Sequence, residues 1–148
     1  MQKIKLTNMR DAILASAGHL APDRVRSAEI DALIDTGATT LIIPEDVAAL
    51  LGLTVAERRK VKLANGQLAD SQRVTDIKLE ICGRDMPIDA FTLPAGTTAL
   101  VGQIPLEALD LVVDPRRQEL RPNPAHPDGP IVKALRAEAL RAEALRAA

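Results

Sequence analysis

The chain has 148 residues, enough for one domain with a hydrophobic core, and its 47% apolar content and formal net charge of −1 are typical of an ordinary globular protein. The near-neutral charge argues against nucleic acid or an anionic membrane as the main partner, because both select a basic excess. Phe91 is the only aromatic residue, which further disfavours surfaces that stack bases or sugars.

The first half of the chain predicts three strands and one helix. "KIKLTN" alternates apolar and polar residues and predicts a strand, whereas "LAPDRVR" predicts a loop. "SAEIDALI" alternates again, with Ala28, Ile30, Ala32 and Ile34 on one face, and leads directly to Asp35. "TLII" predicts a short strand. "PEDVAALLGL" predicts a short helix, since proline and acidic residues stand at its start and glycine at its end.

Three hairpins are predicted in the second half. "KVKLANGQLADSQRV" contains Asn65-Gly66, a dipeptide that tolerates positive φ at both turn positions. "DIKLEIC" and "MPIDAFTL" flank a predicted turn at residues 83–85, and "LVVDPRRQELRP" predicts a third hairpin, whose turn opens at Asp114. Between the second and third hairpins, "ALVG" predicts a short strand and "IPLEALDL" one or two helical turns.

Many short strands with few helices predict an all-β barrel or sandwich-like fold. The folded β domain is expected to span residues 1–124. A Pro-containing linker and a low-complexity tail follow at residues 125–148. Residues 134–148 repeat ALRAE, which predicts a helical or frayed, solvated appendage, because leucines five residues apart do not line one face of a helix. A partner-binding helix is the alternative for this tail.

Other reactive side chains indicate no second chemistry. Cys82 cannot form an intrachain disulfide because it is the only cysteine, and we predict a small core residue rather than a catalytic thiol. His19 and His126 lie in predicted loops without a ligand partner at metal-binding spacing, so no metal site is expected. The first ten residues lack the apolar region of a signal peptide, and we therefore expect a cytoplasmic protein.

The motifs "LIDTGATT", "LANGQ" and "ALVGQIPLEAL", in this order, resemble those of retropepsin-like aspartic proteases, including compact prokaryotic members. "LDLVVDPRRQELRPNP" resembles the closing segment of the prokaryotic members, so the resemblance covers roughly residues 2–124. It implies a closed retropepsin-like β-barrel with short helices and no cofactor. It further implies an aspartic endopeptidase that cleaves extended peptide or protein substrates with apolar side chains near the scissile bond.

The resemblance makes Asp35 the catalytic residue. Peptide hydrolysis in this class uses two facing carboxylates, which share one proton and hold a water molecule between them. The chain has a single Asp-Thr-Gly, and Asp128-Gly129 lacks its apolar flanks, so the resemblance implies a homodimer in which each subunit contributes Asp35. Thr36 is then expected to hydrogen-bond across the two-fold axis, and Gly37 to permit the tight turn.

The resemblance also implies a set of substrate-binding residues. A flap tip would close over the peptide, and two later apolar residues would line subsites or fill the core. The set consists of Gly37, Ala38, Thr39, Ala64, Asn65, Gly66, Gln67, Leu100 and Val101. Ala38 lacks the hydroxyl that pepsin-like enzymes usually carry at this position, which implies a working pH nearer neutral.

Two positions depart from the retroviral pattern. Thr39 and Gln103 replace an aspartate and an arginine that form an ion pair near the dimer interface, and a neutral hydrogen bond could take the place of that pair. The alternative function is a noncatalytic dimerisation or peptide-binding module, in which Asp35 is a buried or capping carboxylate. A third hypothesis is that the tail recruits a larger assembly.

Overall fold

The computed structural model describes residues 1–117 and 119–131. The Ala/Leu/Arg-rich repeat lies outside the described residues, so its helical or frayed state stays a prediction. Within the described part of the chain, no helix is both long and apolar enough to cross a membrane.

Strands dominate the fold. They are β1 (Gln2–Asn8), β2 (Ser27–Ile34), β3 (Leu41–Pro44), β4 (Thr54–Lys62), β5 (Leu68–Ile81), β6 (Arg84–Leu93), β7 (Ala99–Val101), β8 (Leu111–Asp114) and β9 (Glu119–Pro122). Seven of them form one sheet in the order β1-β2-β7-β3-β6-β5-β4, and β1 also pairs with β5. Six strands therefore close into a barrel with β4 outside the closure, which confirms the predicted all-β, retropepsin-like fold.

The barrel interior is filled by alternate residues of its strands, as strand geometry requires. In β2 the predicted inward face is confirmed, because Ala32 is fully buried and Ala28, Ile30 and Ile34 pack against the core. Each fully buried leucine or isoleucine contributes about 1.5–3 kcal/mol through the hydrophobic effect. The largest such side chains are Ile4, Leu6, Leu41, Ile43, Leu51, Ile77, Leu79, Ile81 and Leu109.

The two central hairpins share one long strand. β5 pairs with β4 along its first half and with β1 along its second half. The change of partner coincides with a break at Asp76, whose φ is 63°, and with a register shift between β5 and β6. The first half of β5 therefore leaves the barrel and, together with β4, projects as a separate hairpin.

The turns of these hairpins differ in part from the prediction. In the β4–β5 turn Gly66 has a positive φ of 83°, whereas Asn65 does not adopt one. The β5–β6 turn consists of Cys82 and Gly83, both with positive φ, which is typical of a type I′ turn. The predicted core role of Cys82 is therefore wrong, since its side chain is exposed at the turn and its Sγ lies 3.2 Å from the carbonyl oxygen of Leu120.

Arg84 was predicted as a turn residue, but it begins β6 and is buried. Its Nη1 donates to the carbonyl oxygens of Leu109 and Asp110, at 3.0 and 2.9 Å, and its Nη2 donates to that of His126. A guanidinium offers five N–H donors, which is why it can satisfy several carbonyl groups at once. Arg84 thereby attaches the segment after β9, predicted as the linker, to the body of the domain.

In the described part of the chain three α-helices accompany the sheet: α1 (Met9–Ser16), α2 (Glu45–Leu50) and α3 (Gln103–Ala108). α2 and α3 match the predicted short helices, whereas α1 was not predicted. Asn8 caps α1 by accepting from the backbone N–H of Asp11 at 3.0 Å, and its side-chain amide donates to the carbonyl of Leu51 at 2.8 Å. Because the cap residue is also the last residue of β1, strand and helix join without a loop.

The third predicted hairpin, β8–β9, is confirmed and forms a separate two-stranded sheet. Its turn begins at Asp114, whose side chain accepts from the backbone N–H of Arg116 at 3.0 Å. The hairpin lies against the barrel, because the backbone N–H of Leu120 donates to the side-chain oxygen of Gln2 at 2.9 Å.

Candidate active site

Asp35 follows the last residue of β2, where the chain leaves the barrel. The backbone N–H of Asp35 donates to the carbonyl of Val101 at 3.0 Å, which extends the parallel pairing of β2 with β7 by one bond. Its own carbonyl accepts from the N–H of Ala38 at 3.0 Å, closing a tight turn. The Asp35 side chain is exposed in the single subunit, so the alternative of a buried carboxylate does not describe it.

The carboxylate is oriented by the loop that follows it. The backbone N–H of Gly37 donates to Oδ1 of Asp35 at 2.9 Å. A Cβ at position 37 would lie only 3.1 Å from the same oxygen, which is a tight contact, so glycine leaves room for the carboxylate. Among the described residues, no lysine, arginine or histidine forms an ion pair with Asp35. One carboxylate oxygen is thus fixed by a backbone donor, and the group faces solvent.

The Asp35 loop is held by the segment that begins α3. Three successive backbone N–H groups, those of Gly102, Gln103 and Ile104, donate at 2.9 Å to the carbonyls of Thr40, Ala38 and Thr39. A Cβ on residue 102 would lie 2.5 Å from the Ala38 oxygen and 2.6 Å from the Thr40 oxygen, so only glycine fits this contact. The structure therefore brings together two motifs that are about 65 residues apart in the sequence.

The predicted side-chain link between Thr39 and Gln103 is not formed in this subunit. Gln103 instead donates from Nε2 to Oε1 of Glu107 one helical turn later, at 2.8 Å. The two segments are joined through the backbone, so the loss of the retroviral ion pair leaves the loop attached within the subunit.

Thr36 lies on the edge of an open groove of about 730 Å³ that runs along α3 and β8. The groove is lined in part by Ile104, Val113 and Ile131, whose side chains are about half exposed. Asp110 borders the same groove, and hydrogen bonds from Asn123 and from His126 lower the pKa of its carboxyl group. An apolar surface thus continues directly from the Asp35 loop.

The predicted flap tip, Ala64 to Gln67, is exposed, and none of its residues lines this groove. Its hydrogen bonds are internal: the N–H of Gly66 donates to the carbonyl of Leu63 at 2.9 Å, and that of Gln67 to Oδ1 of Asn65 at 3.0 Å. Among the described residues, no hydrogen bond joins the tip to the Asp35 loop. An ordered hairpin tip that projects from the barrel has the form expected of a flap.

Leu100 and Val101 point to opposite faces of β7. Val101 is fully buried in the barrel core and offers a substrate no surface, so of its two predicted roles the structure gives it the core one. Leu100 lies on the outer face, where it pairs in register with Leu33 of β2 and Ile42 of β3. Sequence reasoning missed Leu33 and Ile42, although Leu33 interrupts the alternation of "SAEIDALI" on its polar face and could have been noticed.

The same outer face continues to charged residues of β4 and β5. Phe91 of β6 is the register partner of both Ile42 and Arg73. Glu57 accepts at Oε1 from Nε of Arg73 at 2.7 Å, and the same oxygen forms an ion pair with Nε of Arg59 at 2.9 Å. The hydrogen bond from Arg73 is the main reason that the pKa of Glu57 is lowered. The outer face is therefore apolar near Asp35 and charged on the β4–β5 hairpin.

The comparisons with known proteins agree with this geometry. The family model described as "gag-polyprotein putative aspartyl protease" matches residues 23–108, which is more than half of the chain. The match includes the Asp35 loop, the β4–β5 hairpin predicted as the flap, and the segment from Leu100 to α3. No curated protein matches the chain. With its closed barrel and its braced Asp-Thr-Gly loop, the chain belongs to the gag-polyprotein aspartyl protease family and has the retropepsin-like fold of that family.

Proposed function

We propose that the protein is an aspartic endopeptidase in which Asp35 residues from two identical subunits activate a water molecule. The observation that carries the proposal is the exposed carboxylate of Asp35, oriented by the N–H of Gly37 on a loop that α3 braces through three backbone hydrogen bonds. Such rigid presentation of a solvent-facing acid is what catalysis requires, because small displacements of a reacting group are costly.

The chemistry needs a second carboxylate. Two carboxyl groups a few ångströms apart cannot both ionise, so the pair holds one proton. The ionised member accepts a proton from the water as the water attacks the peptide carbonyl, and the protonated member donates its proton to the carbonyl oxygen. The resulting gem-diol collapses as the nitrogen is protonated and the C–N bond breaks. A single described subunit has one such acid, so a second copy would supply the other.

The groove beside Thr36 supports dimerisation as the source of that copy. Ile104, Val113 and Ile131 expose apolar side chains next to the Asp35 loop, and covering them would release water from this surface. A two-fold axis near Thr36 would bring identical patches together and place the two Asp35 carboxylates face to face. The Thr36 hydroxyl would then have a partner across the axis.

An extended peptide is the proposed substrate. The outer face formed by Leu33, Ile42 and Leu100 would receive its apolar side chains, and the exposed Gly37–Thr39 loop would bind its backbone. The flap tip at residues 64–67 would close over the peptide with backbone hydrogen bonds. No nucleic acid or membrane partner belongs to this proposal.

Asp35→Asn tests the catalytic role. We expect the variant to fold and dimerise but to cleave a peptide library at a rate reduced by at least about 1,000-fold, since removing a catalytic acid usually costs this much. Asp31→Asn is the matched control, because Asp31 is an exposed aspartate of β2, the strand that leads to Asp35. Unchanged cleavage by Asp35→Asn contradicts the dyad. Failure of the wild type to cleave any peptide or to bind a transition-state-like statine inhibitor favours the noncatalytic module.

Substitutions in the groove test the homodimer. Ile104→Asp and Val113→Asp place a charge on the proposed interface, and we expect both to abolish dimers in sedimentation equilibrium and activity with them. Leu50→Asp is the control, since Leu50 is also apolar and even more exposed but lies at the end of α2, outside the groove. Dimers that survive both groove substitutions would contradict this interface.

A further inference from the structure

The outer face next to Asp35 forms a continuous row of side chains across four strands. Leu33 of β2 pairs in register with Leu100 of β7, Leu100 with Ile42 of β3, and Ile42 with Phe91 of β6. Their strand neighbours point into the core, so the row faces away from it. All four side chains are partly or largely accessible, which makes the row a surface rather than part of the interior.

The row ends at a cation. The guanidinium carbon of Arg59 lies 5.7 Å from the centre of the Phe91 ring, a distance at which the ring attracts the charge. Arg59 lies on β4 opposite Ser71 of β5, whose side chain is buried and small. The ring and the small neighbour together support the guanidinium on the face that the apolar row follows.

Arg59 is the least neutralised member of its charge network. Arg73 donates to two carboxylates, at 2.7 Å to Glu57 and at 2.7 Å to Asp89, whereas Arg59 forms an ion pair only through Nε, with the Glu57 oxygen that Arg73 shares. The Arg59 side chain is 55% exposed, against 31% for Arg73. Within the described part of the chain, the two terminal nitrogens of Arg59 have no carboxylate partner. Four N–H donors of a weakly hydrated cation are therefore available to a ligand.

We infer that Arg59 is a specificity-determining residue that binds an aspartate or glutamate side chain of the substrate. The inference rests on the proposed function, because it gives the outer face that would bind the peptide a substrate preference. A guanidinium matches the two oxygens of a carboxylate, and the terminal nitrogens can donate to both. The preferred substrate is thus a peptide with apolar residues at the scissile bond and an acidic residue towards its end.

The position of the acidic residue follows from strand spacing. Phe91 is three strand spacings from Leu33, or about 14 Å at about 4.8 Å per spacing. An extended peptide advances about 3.3–3.4 Å per residue, so this distance corresponds to about four residues. In a symmetric dimer each subunit contributes one Arg59. With the scissile bond placed over Leu33, beside Asp35, the preference applies to the fourth residue on either side of that bond.

Matched peptides test the inference. They share one apolar scissile sequence and carry glutamate, glutamine or lysine at the fourth residue on one side. For the wild type we expect kcat/KM to be about 2–5-fold higher for glutamate than for glutamine and lowest for lysine, which is the range for a half-exposed charge pair. The difference should lie in KM rather than in kcat, because the contact is remote from the reacting bond, and it should shrink at high salt.

Two neighbouring arginines give the variant and its control. Arg59→Gln should remove the preference for glutamate, so that the glutamate and glutamine peptides are cleaved with equal kcat/KM, whereas Arg59→Lys should retain part of the preference. Arg58→Gln should keep the full preference, because Arg58 is exposed on the opposite face of the same strand. Equal kcat/KM for the glutamate and glutamine peptides in the wild type, or an unchanged preference in Arg59→Gln, would overturn the inference.

Binding separates this inference from the proposed function. Fluorescence anisotropy of labelled peptides with the Asp35→Asn protein measures affinity without cleavage. A wild type that cleaves none of the peptides refutes the endopeptidase, but tighter binding of the glutamate peptide, lost in Asp35→Asn/Arg59→Gln, still supports the role of Arg59. Equal binding of the glutamate and glutamine peptides refutes that role, whether or not the peptides are cleaved.

Discussion

Gly102→Ala would place a methyl group inside the contact that holds the Asp35 loop against α3. A Cβ at this position lies 2.5 Å from the carbonyl oxygen of Ala38 and 2.6 Å from that of Thr40, whereas ordinary contact begins at 3.4 Å. The loop has to retreat by about 0.9 Å, and because both clashing atoms belong to the backbone, no flexible side chain can absorb the movement. The backbone of residue 102 itself is unstrained, with φ at −93°.

The expected cost follows from the bonds that the retreat stretches. Three backbone hydrogen bonds join the loop to the start of α3, each at 2.9 Å, and each contributes about 0.5–1.5 kcal/mol. The free energy of unfolding should therefore fall by about 2–4 kcal/mol. Asp35 moves with its loop, and a displacement close to 1 Å lowers kcat/KM by about 100-fold.

Urea denaturation followed by circular dichroism measures the first effect, and peptide cleavage below the urea transition measures the second. Gly18→Ala is the control, because Gly18 has a φ of 80° and a Cβ there would meet no atom within 4 Å. This control should lose about 1–2 kcal/mol from its left-handed backbone and keep its activity. Wild-type stability and activity in Gly102→Ala would refute the bracing role, and an equal loss of activity in Gly18→Ala would refute its specificity.

Three further substitutions test interactions that determine the stability of the fold. Asp11→Asn removes a carboxyl group whose pKa hydrogen bonds from Arg26 lower to about 2. Because this value lies below the ordinary one, the carboxylate stabilises the fold above about pH 4 and loses its effect as the pH falls towards 2. The urea midpoint of the variant should therefore be lower at pH 7 and converge with the wild type near pH 2; a constant difference would contradict the pairing. Ser71→Ala removes a buried hydroxyl without a hydrogen-bond partner among the described residues, so the free energy of unfolding measured by urea denaturation should rise by about 1 kcal/mol. A fall in this free energy would show that the hydroxyl has a hydrogen-bond partner. Arg84→Met leaves three carbonyl groups without their donor and should cost about 2–4 kcal/mol, so that an unchanged midpoint would contradict its role as the attachment of the segment after β9.

Local patterns in the sequence were enough to predict the fold class and the position of Asp35. Alternation in β2 identified its buried face correctly, and Asp114 correctly marked the β8–β9 turn, because period and turn chemistry act between residues close in the chain. The same reasoning failed for Cys82. A small apolar residue at a strand end suits both a core and a turn, and the two-residue hairpin loop decided in favour of the turn.

Contacts between distant residues were decided by tertiary structure alone. The sequence contains Gly102 and the Asp35 loop, but only the pairing of β2 with β7 shows that a side chain at 102 would collide with the loop. The row from Leu33 to Phe91 likewise exists only because four strands distant in sequence are aligned in register. The sequence by itself encodes strand alternation, turn formation and helix capping, because each of these depends on residues that are close together in the chain. Which side chains share a face depends on the order and register in which the barrel closes. The same order and register therefore decide what the outer face next to Asp35 can bind.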